Sequence, residues 1–316
     1  MQATTAWMQR AEVLAPTGSS VSLRFLGLLS ATAACVALLP ALAGAVEVGA
    51  SPGQSEAGQS TAVVLLPHRA IYNLRLVESD DGAGIGNVRG RMVYDFAGSV
   101  CDGYSTSFRF VTEFQDTQGL GQVTDLRSTS YESADGDQLE FISQAYVAQK
   151  LMEESKGIAK QEAGKKVVQL SKPTQRTLDL KTSVLFPTQH LVRVIEAARS
   201  GDVLVLADVF DGSESGDKVF ATTTIIGHSL DTPIPADDAS AKGVEAVPQG
   251  RHWPVSIAYF DPENAGVGEQ LPAYQMSFQL YENGVSRSLK LDYGDFVLQG
   301  TLSDFVMHDG PSGCAD

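Results

Sequence analysis

Sulfur, imidazole and clustered carboxylates are the groups through which this 316-residue chain could do chemistry, and their spacing limits each of them. The cysteines are Cys35, Cys101 and Cys314. Two thiols can form a redox couple, part of a zinc site or a disulfide, but no paired histidines lie near either Cys101 or Cys314 to complete a metal site. The five histidines, His68, His190, His228, His252 and His308, stand alone. No H-x-x-H or H-E-x-x-H spacing puts two imidazoles on one helix face, so each reads as a surface or packing residue. No G-x-S-x-G elbow occurs, and Ser215 lies in a G-S-E-S-G turn that puts glutamate where the nucleophile belongs. Gly82, Gly84 and Gly86 mimic a nucleotide loop but no helix follows them, and Asp135-Gly136-Asp137 lacks the ligand spacing of a calcium loop. A carboxylate pair for glycoside cleavage meets in space rather than in sequence, so that alternative stays open. The sequence points to no catalytic residue, no cofactor and no metal.

The segments that carry these residues begin with a targeting sequence. Residues 25–43 are apolar, follow Arg10 and Arg24, and run into Ala43-Gly44-Ala45, an A-x-A-like cleavage site. Cleavage is predicted after Ala45. The run is almost long enough to span a bilayer, but Pro40 and the small residues after it favour removal over anchoring. Cys35 follows Thr32-Ala33-Ala34, a poor lipidation box in mid-run. Removal of residues 1–45 leaves Cys101 and Cys314, and an even pair in an exported chain reads as a disulfide, with two free thiols as the alternative. The formal charge of −15 excludes a nucleic-acid surface, which needs a basic patch; Lys165-Lys166 is the one adjacent basic pair after residue 45.

Residues 46–66 are rich in Gly, Ser and Ala and read as a flexible lead-in. From there the chain alternates. Between Tyr104 and Phe114 the even positions hold Tyr104, Phe108, Phe110 and Phe114 with Thr106 and Thr112, and most odd ones are polar, a strand with one aromatic face. Similar strands are predicted over 71–77, 88–96, 122–131, 139–147, 167–170, 203–210, 219–226, 253–259, 274–280, 285–293 and 296–306, twelve in all, separated by turns at regular spacing. Residues 150–164 are charged and read as an exposed connection. Residues 203–210 are apolar on both faces as far as Asp208, which predicts cover on both sides. Asn283-Gly284 predicts a type I′ hairpin turn. One helix interrupts the pattern: Pro187 and Thr188 start it, Leu191, Val194, Ile195 and Ala198 form its apolar stripe, and Gly201 ends it. That stripe is either core or the lid of an apolar pocket. Residues 229–250 hold prolines, alanines and acids without a period and read as a disordered insertion.

Several ordered motifs carry a family resemblance: P-H-R-A-I-Y-N-L at 67–74, G-R-M-V-Y-D-F at 90–96, C-D-G-Y-S-T-S-F-R-F-V-T at 101–112, T-D-L-R-S at 124–128, V-L-F-P-T-Q-H at 184–190, Y-F-D at 259–261 and L-Y-E-N-G-V-S at 280–286. The chain resembles the EipB family, periplasmic cell-envelope integrity proteins of alphaproteobacteria. The resemblance implies a β-spiral, a helix at the F-P-T-Q-H segment, a disulfide matching Cys101 and Cys314, and a non-enzymatic role with a tetratricopeptide-repeat partner. It brings no catalytic residue. The fold it implies is similar to periplasmic carriers of lipids and lipoproteins, an analogy of fold alone.

The expectation is one all-β, mainly antiparallel domain over residues 67–316: a curled β-spiral or open barrel of about twelve strands with the helix packed in its opening. Its partner is a lipid, a lipoprotein or an envelope protein held on the curved sheet. A purely structural interaction module is the alternative, and an envelope hydrolase the weakest reading. After signal cleavage nothing is left to span a membrane, and the chain resides in the periplasm.

Overall fold

Strand alternation builds this fold, as β3 (Gly103–Asp116) illustrates. Tyr104, Phe108 and Phe110 are buried on one face, while Arg109 and Glu113 on the other pair with Asp125 and Arg89 of the neighbouring strands. The computed structural model describes residues 62–231, 245, 247, 249–261 and 270–309. Before β3 come β1 (His68–Ser79) and β2 (Ile85–Ser99). After it follow β4 (Gly121–Glu132), β5 (Gln138–Val147), β6 (Lys150–Glu162), β7 (Lys165–Lys172) and β8 (Arg176–Leu180). The helix α1 (Pro187–Ser200) comes next. The chain continues through β9 (Leu204–Val209), β10 (Phe220–Ile226), β11 (His252–Phe260), β12 (Tyr274–Tyr281), β13 (Ser286–Asp292) and β14 (Phe296–Met307).

The fourteen strands of the described residues belong to one sheet in the order β8-β7-β6-β5-β4-β3-β2-β1-β14-β13-β12-β11-β10-β9, each neighbour antiparallel. Two meanders therefore meet where β1 pairs with β14. The sheet does not close on itself by a ladder; β8 and β9 are its two edges, and α1 is the connection between them. The sheet is curled all the same, because Phe141 of β5 packs edge-on against Phe210 just after β9, ring centres 5.6 Å apart. A sheet of this many twisted strands must curl. Among the described residues no helix is long and apolar enough to cross a membrane, and the predicted signal segment lies outside them.

The core has two parts. The larger gathers inward residues of β1–β4 and β10–β14 around Val194, Ile195, Ala197 and Ala198 of α1. The smaller joins Leu139, Phe141, Ala159, Val168 and Leu170 of β5–β7 to Val184, Phe186 and Phe210. The helix and the segment leading into it thus plug both halves of the curl.

The all-β antiparallel architecture is as expected, and among the described residues there is one helix, with fourteen strands in place of the expected twelve. The two additions are β6 and β8. In β6 the inward positions are Ser155, Gly157 and Ala159, too small to register as an apolar face among the charges around them. The lead-in does not extend to residue 66: Val63 and Leu65 are core residues, and the Leu66 N–H donates to Asn283 O. Most of 229–250 lies outside the described residues, but Leu230 bridges to His252 and Val247 is buried, so its two ends are packed. Strand β9 is not covered on both sides; Leu204 and Leu206 stand exposed on its outer face. The hairpin at Asn283-Gly284 forms, but of the two only Gly284 has positive φ (86°), and its N–H donates to Tyr281 O. The turn is centred on Glu282 and Asn283 with Gly284 in the left-handed position, not a two-residue type I′ turn.

Candidate functional site

The site is the space between α1 and the concave face of the sheet, and it depends on how the helix is fixed there. Pro187 occupies the first helical turn, where its missing N–H is no loss. Phe186, at the cap position, has no side-chain acceptor to offer the helix. The acceptor comes from a distant strand: the Glu132 carboxylate at the end of β4 takes the N–H groups of Thr188 (2.8 Å) and Gln189 (2.9 Å). Gln189 completes the start, its Oε1 accepting from the Phe186 N–H (3.0 Å) and its Nε2 donating to Gly136 O (3.0 Å) in the β4–β5 turn. The Lys166 ammonium lies 3.9 Å from the centre of the Phe186 ring and donates to Val184 O (2.7 Å) and Gln189 Oε1 (3.1 Å). Burial pushes the Glu132 carboxyl up, against the pull of the two helix N–H groups, and burial pushes Lys166 down. At the other end Gly201 is left-handed (φ 82°), and the Asp202 N–H returns to Ala197 O, which satisfies the last carbonyls.

Beneath α1 lies a cavity of about 90 Å³. One wall is apolar, with Ile257, Met276 and Phe278 of β11–β12 facing Leu191 and Val194; the other carries the hydroxyls of Thr106, Ser128 and Ser130. Two imidazoles and one carboxylate border it: His190, His68 and Asp211. His190 is fully buried and burial lowers its pKa to about 4, so its imidazole is neutral at physiological pH. Burial also lowers the pKa of His68, whose Nδ1–H donates to Leu66 O (2.7 Å). Burial raises that of Asp211, which accepts from the Ser213 N–H (2.9 Å). Sites for drug-sized ligands run to roughly 300–1,000 Å³, and an apolar cavity of roughly 150 Å³ takes no more than benzene. With α1 seated, the space beneath it is smaller than either.

Of the four predicted lid residues, Val194, Ile195 and Ala198 are buried and Leu191 is half-buried. Leu191 and Val194 line the cavity, whereas Ile195 and Ala198 pack into the core beside it. Cys101 lies in the β2–β3 turn and is disulfide-bonded; Cys314 lies outside the described residues. Sequence reasoning missed Glu132, Lys166 and Asp211. One signal was available for the first: a helix that starts on Phe186-Pro187, with no acid in its first turn, requires an acceptor from elsewhere.

On the solvent side of α1 a groove of about 550 Å³ runs between the β4–β5 turn and the edge of β9, floored by Val192, Arg193 and Glu196. Away from both spaces, Lys218 Nζ sits between Glu214 Oε2 (2.8 Å) and Asp261 Oδ2 (2.6 Å) and ties the 211–218 loop to the end of β11. Burial raises Glu214 to about 7; burial alone would lower Lys218, but its two carboxylate partners raise it. These carboxylates are held by a lysine rather than set across a cleft. Asp211 is the one carboxylate lining the cavity among the described residues. Among the same residues no three His, Cys, Asp or Glu side chains are grouped so as to hold a metal.

A family model described as EipB-like matches residues 59–309. The chain is 42% identical over 262 residues to the cell envelope integrity protein EipB of Brucella abortus (strain 2308), covering 82% of this chain and 91% of that protein. Among solved structures it is similar to the crystal structure of a beta-barrel-like protein of domain of unknown function DUF1849 from Brucella abortus. The TM-score is 0.70 at 41% identity, over 78% of this chain and all of the other.

Proposed function

This chain belongs to the EipB-like family, and from that premise we propose that it maintains cell-envelope integrity in the periplasm, without catalysis, by docking an envelope protein. The observation that carries the docking reading is the seating of α1. Its buried face occupies the hollow that a lipid carrier keeps for its cargo, and about 90 Å³ is left beneath it. The groove on its outer side, about 550 Å³, is the space large enough for a polypeptide segment. A tetratricopeptide-repeat protein, suggested by the family resemblance, is one class of partner. Against hydrolysis by a carboxylate pair, the cavity offers a single carboxylate, Asp211, among the described residues.

Deletion of the gene tests this reading. Cells are expected to become sensitive to detergents and to cell-wall antibiotics, and to recover with a full-length copy but not with one lacking residues 1–45. A deletion strain as resistant as its parent would sink the integrity role, and recovery with the truncated copy would sink the periplasmic one.

A second reading keeps a lipid or lipoprotein chain on the curved sheet. It draws on the cavity's division into a hydroxyl wall and an apolar wall, and it requires α1 to move out. Native mass spectrometry of protein purified from membranes decides between the two: a retained acyl ligand supports the lipid, and a bare chain supports protein docking.

A further inference from the structure

The two edges of the sheet are built differently. β8 is five residues long and follows Pro173, and Asp179 within it pairs with Lys165. Such an edge is guarded in the usual ways, by shortness, proline and charge. β9 is only one residue longer, but it has no proline, and its one charged residue, Asp208, lies at the end of the edge that Leu185 already occupies. Leu206 is 68% exposed and Leu204 53% exposed on its outer face, and Ile225, directly opposite Leu204 on β10, is 59% exposed. Three large aliphatic side chains thus form one solvent-facing patch at an edge, the arrangement that invites another strand.

The backbone agrees. Val203 O accepts from Ile226 N–H, and Asp208 O accepts from Leu185 N–H, so odd residues of β9 face β10 and even residues face outward. Leu185 makes a single parallel bridge to this edge, with Phe210 N–H donating back to Leu185 O, before the chain leaves to start α1. The edge therefore already holds one strand residue in hydrogen-bonding position. Beyond it the N–H and C=O groups of Leu204 and Leu206 have no backbone partner among the described residues. Leu206 borders the groove floored by Arg193 and Glu196, whose side chains enter no ion pair among the described residues.

We propose that the open edge of β9 binds an extended segment of a partner protein by strand addition. Alternate apolar residues of that segment cover Leu204, Leu206 and Ile225, and the residues between them carry one acidic and one basic side chain toward Arg193 and Glu196. Strand addition takes its affinity from backbone hydrogen bonds and its specificity from alternate side chains, which is what this edge supplies. Opposite charges three residues apart on a helix favour a segment of mixed charge over a uniformly basic or acidic one. The proposal rests on the protein-docking reading and names the surface through which it works.

The probe is a synthetic eight-residue peptide in which valine alternates with lysine and glutamate, titrated into the exported chain and followed by fluorescence anisotropy and amide exchange. Saturable binding that slows exchange at Leu204 and Leu206 is expected. Leu206→Pro removes an outward N–H that β10 does not use, and is expected to weaken binding about tenfold or more, the worth of one hydrogen bond at an edge. Thr177→Pro on β8 leaves binding as it was. Equal binding by Leu206→Pro, or none by the unsubstituted chain, overturns the proposal. A concentration-dependent dimer that Leu206→Pro dissolves also overturns it, because the occupant is then a second copy. If the probe fails while deletion still weakens the envelope, the edge assignment falls alone. If deletion leaves the envelope intact, the functional reading falls whatever the probe does.

Discussion

His190 has none of its surface exposed, and the cost of burying a charge there sets how the protein responds to acid. Its pKa is lowered from 6.5 to about 4 by burial, so between those values the unfolded chain binds the proton and the folded one does not. Its contribution to stability is therefore complete above pH 6.5 and is lost as pH falls through about 4, a change of ~3 kcal/mol. Glu214 works in the opposite sense. Burial raises it from 4.5 to about 7, so its contribution is present below 4.5 and is lost as pH rises through 7. Substitution His190→Gln should flatten the acid limb: urea denaturation at pH 6.5 and pH 4 should show the variant losing less stability than the parent, and equal losses would assign the limb to other groups. Glu132 is the second residue whose removal should tell. Its carboxylate holds two helix N–H groups, so Glu132→Ala strands both in the interior and should cost about 3 kcal/mol in chemical denaturation. Glu132→Gln keeps one acceptor oxygen and should cost distinctly less; equal costs would mean that the side chain matters for its volume rather than its hydrogen bonds.

At the scale of elements, what the sequence reveals depends on whether the inward residues are large. β3 and α1 are legible because Phe108, Phe110, Val194 and Ile195 recur at the strand and helix periods, and Pro187 and Gly201 bound the helix. β6 is not, because the space it faces is filled from elsewhere. A Cβ at Gly157 would stand 2.9 Å from Phe141 Cζ and 2.8 Å from Gln169 O, so the strand must be small where Phe141 leans across it. Only the assembled sheet, not the local pattern, makes that small face meaningful. The same holds for the site: the apolar stripe of α1 was readable, but Glu132 and Asp211 meet it through topology, from segments remote in sequence that carry no period of their own. Gly157→Ala should accordingly destabilise by about 1–3 kcal/mol through overpacking, where an ordinary surface strand would gain from alanine. Ile195→Ala, which hollows the contact under α1, should cost about 2–5 kcal/mol. If thermal scans found Ile195→Ala neutral, α1 would be a loosely held cover rather than part of the core.

For the whole molecule, the question is what keeps the ends of a curled, unclosed sheet together. β1 joins the two meanders, pairing with β2 on one side and with the last strand, β14, on the other. At the same end of the sheet, His68 lies opposite both Met307 and Phe96, and His308 Nε2 contacts Asp95 Oδ1 at 2.8 Å. The turn carrying Cys101 follows directly after β2, which is separated from the end of β14 by β1 alone. This placement favours the proposed bridge from Cys101 to Cys314. Such a bridge would pin the tail to the β2–β3 turn and close a loop of more than 200 residues. In the chain-entropy model a loop of that length is worth at most roughly 5 kcal/mol, most of it by restricting the unfolded chain. Cys101→Ser and Cys314→Ser should then each lower the melting temperature by the same amount, on the order of 10 °C, and the double substitution by no more than either single one. Oxidised protein should also run faster than reduced protein on a denaturing gel. Equal mobility with and without reductant would leave two thiols, and single substitutions that add rather than coincide would mean that the two sulfurs are not bonded to one another.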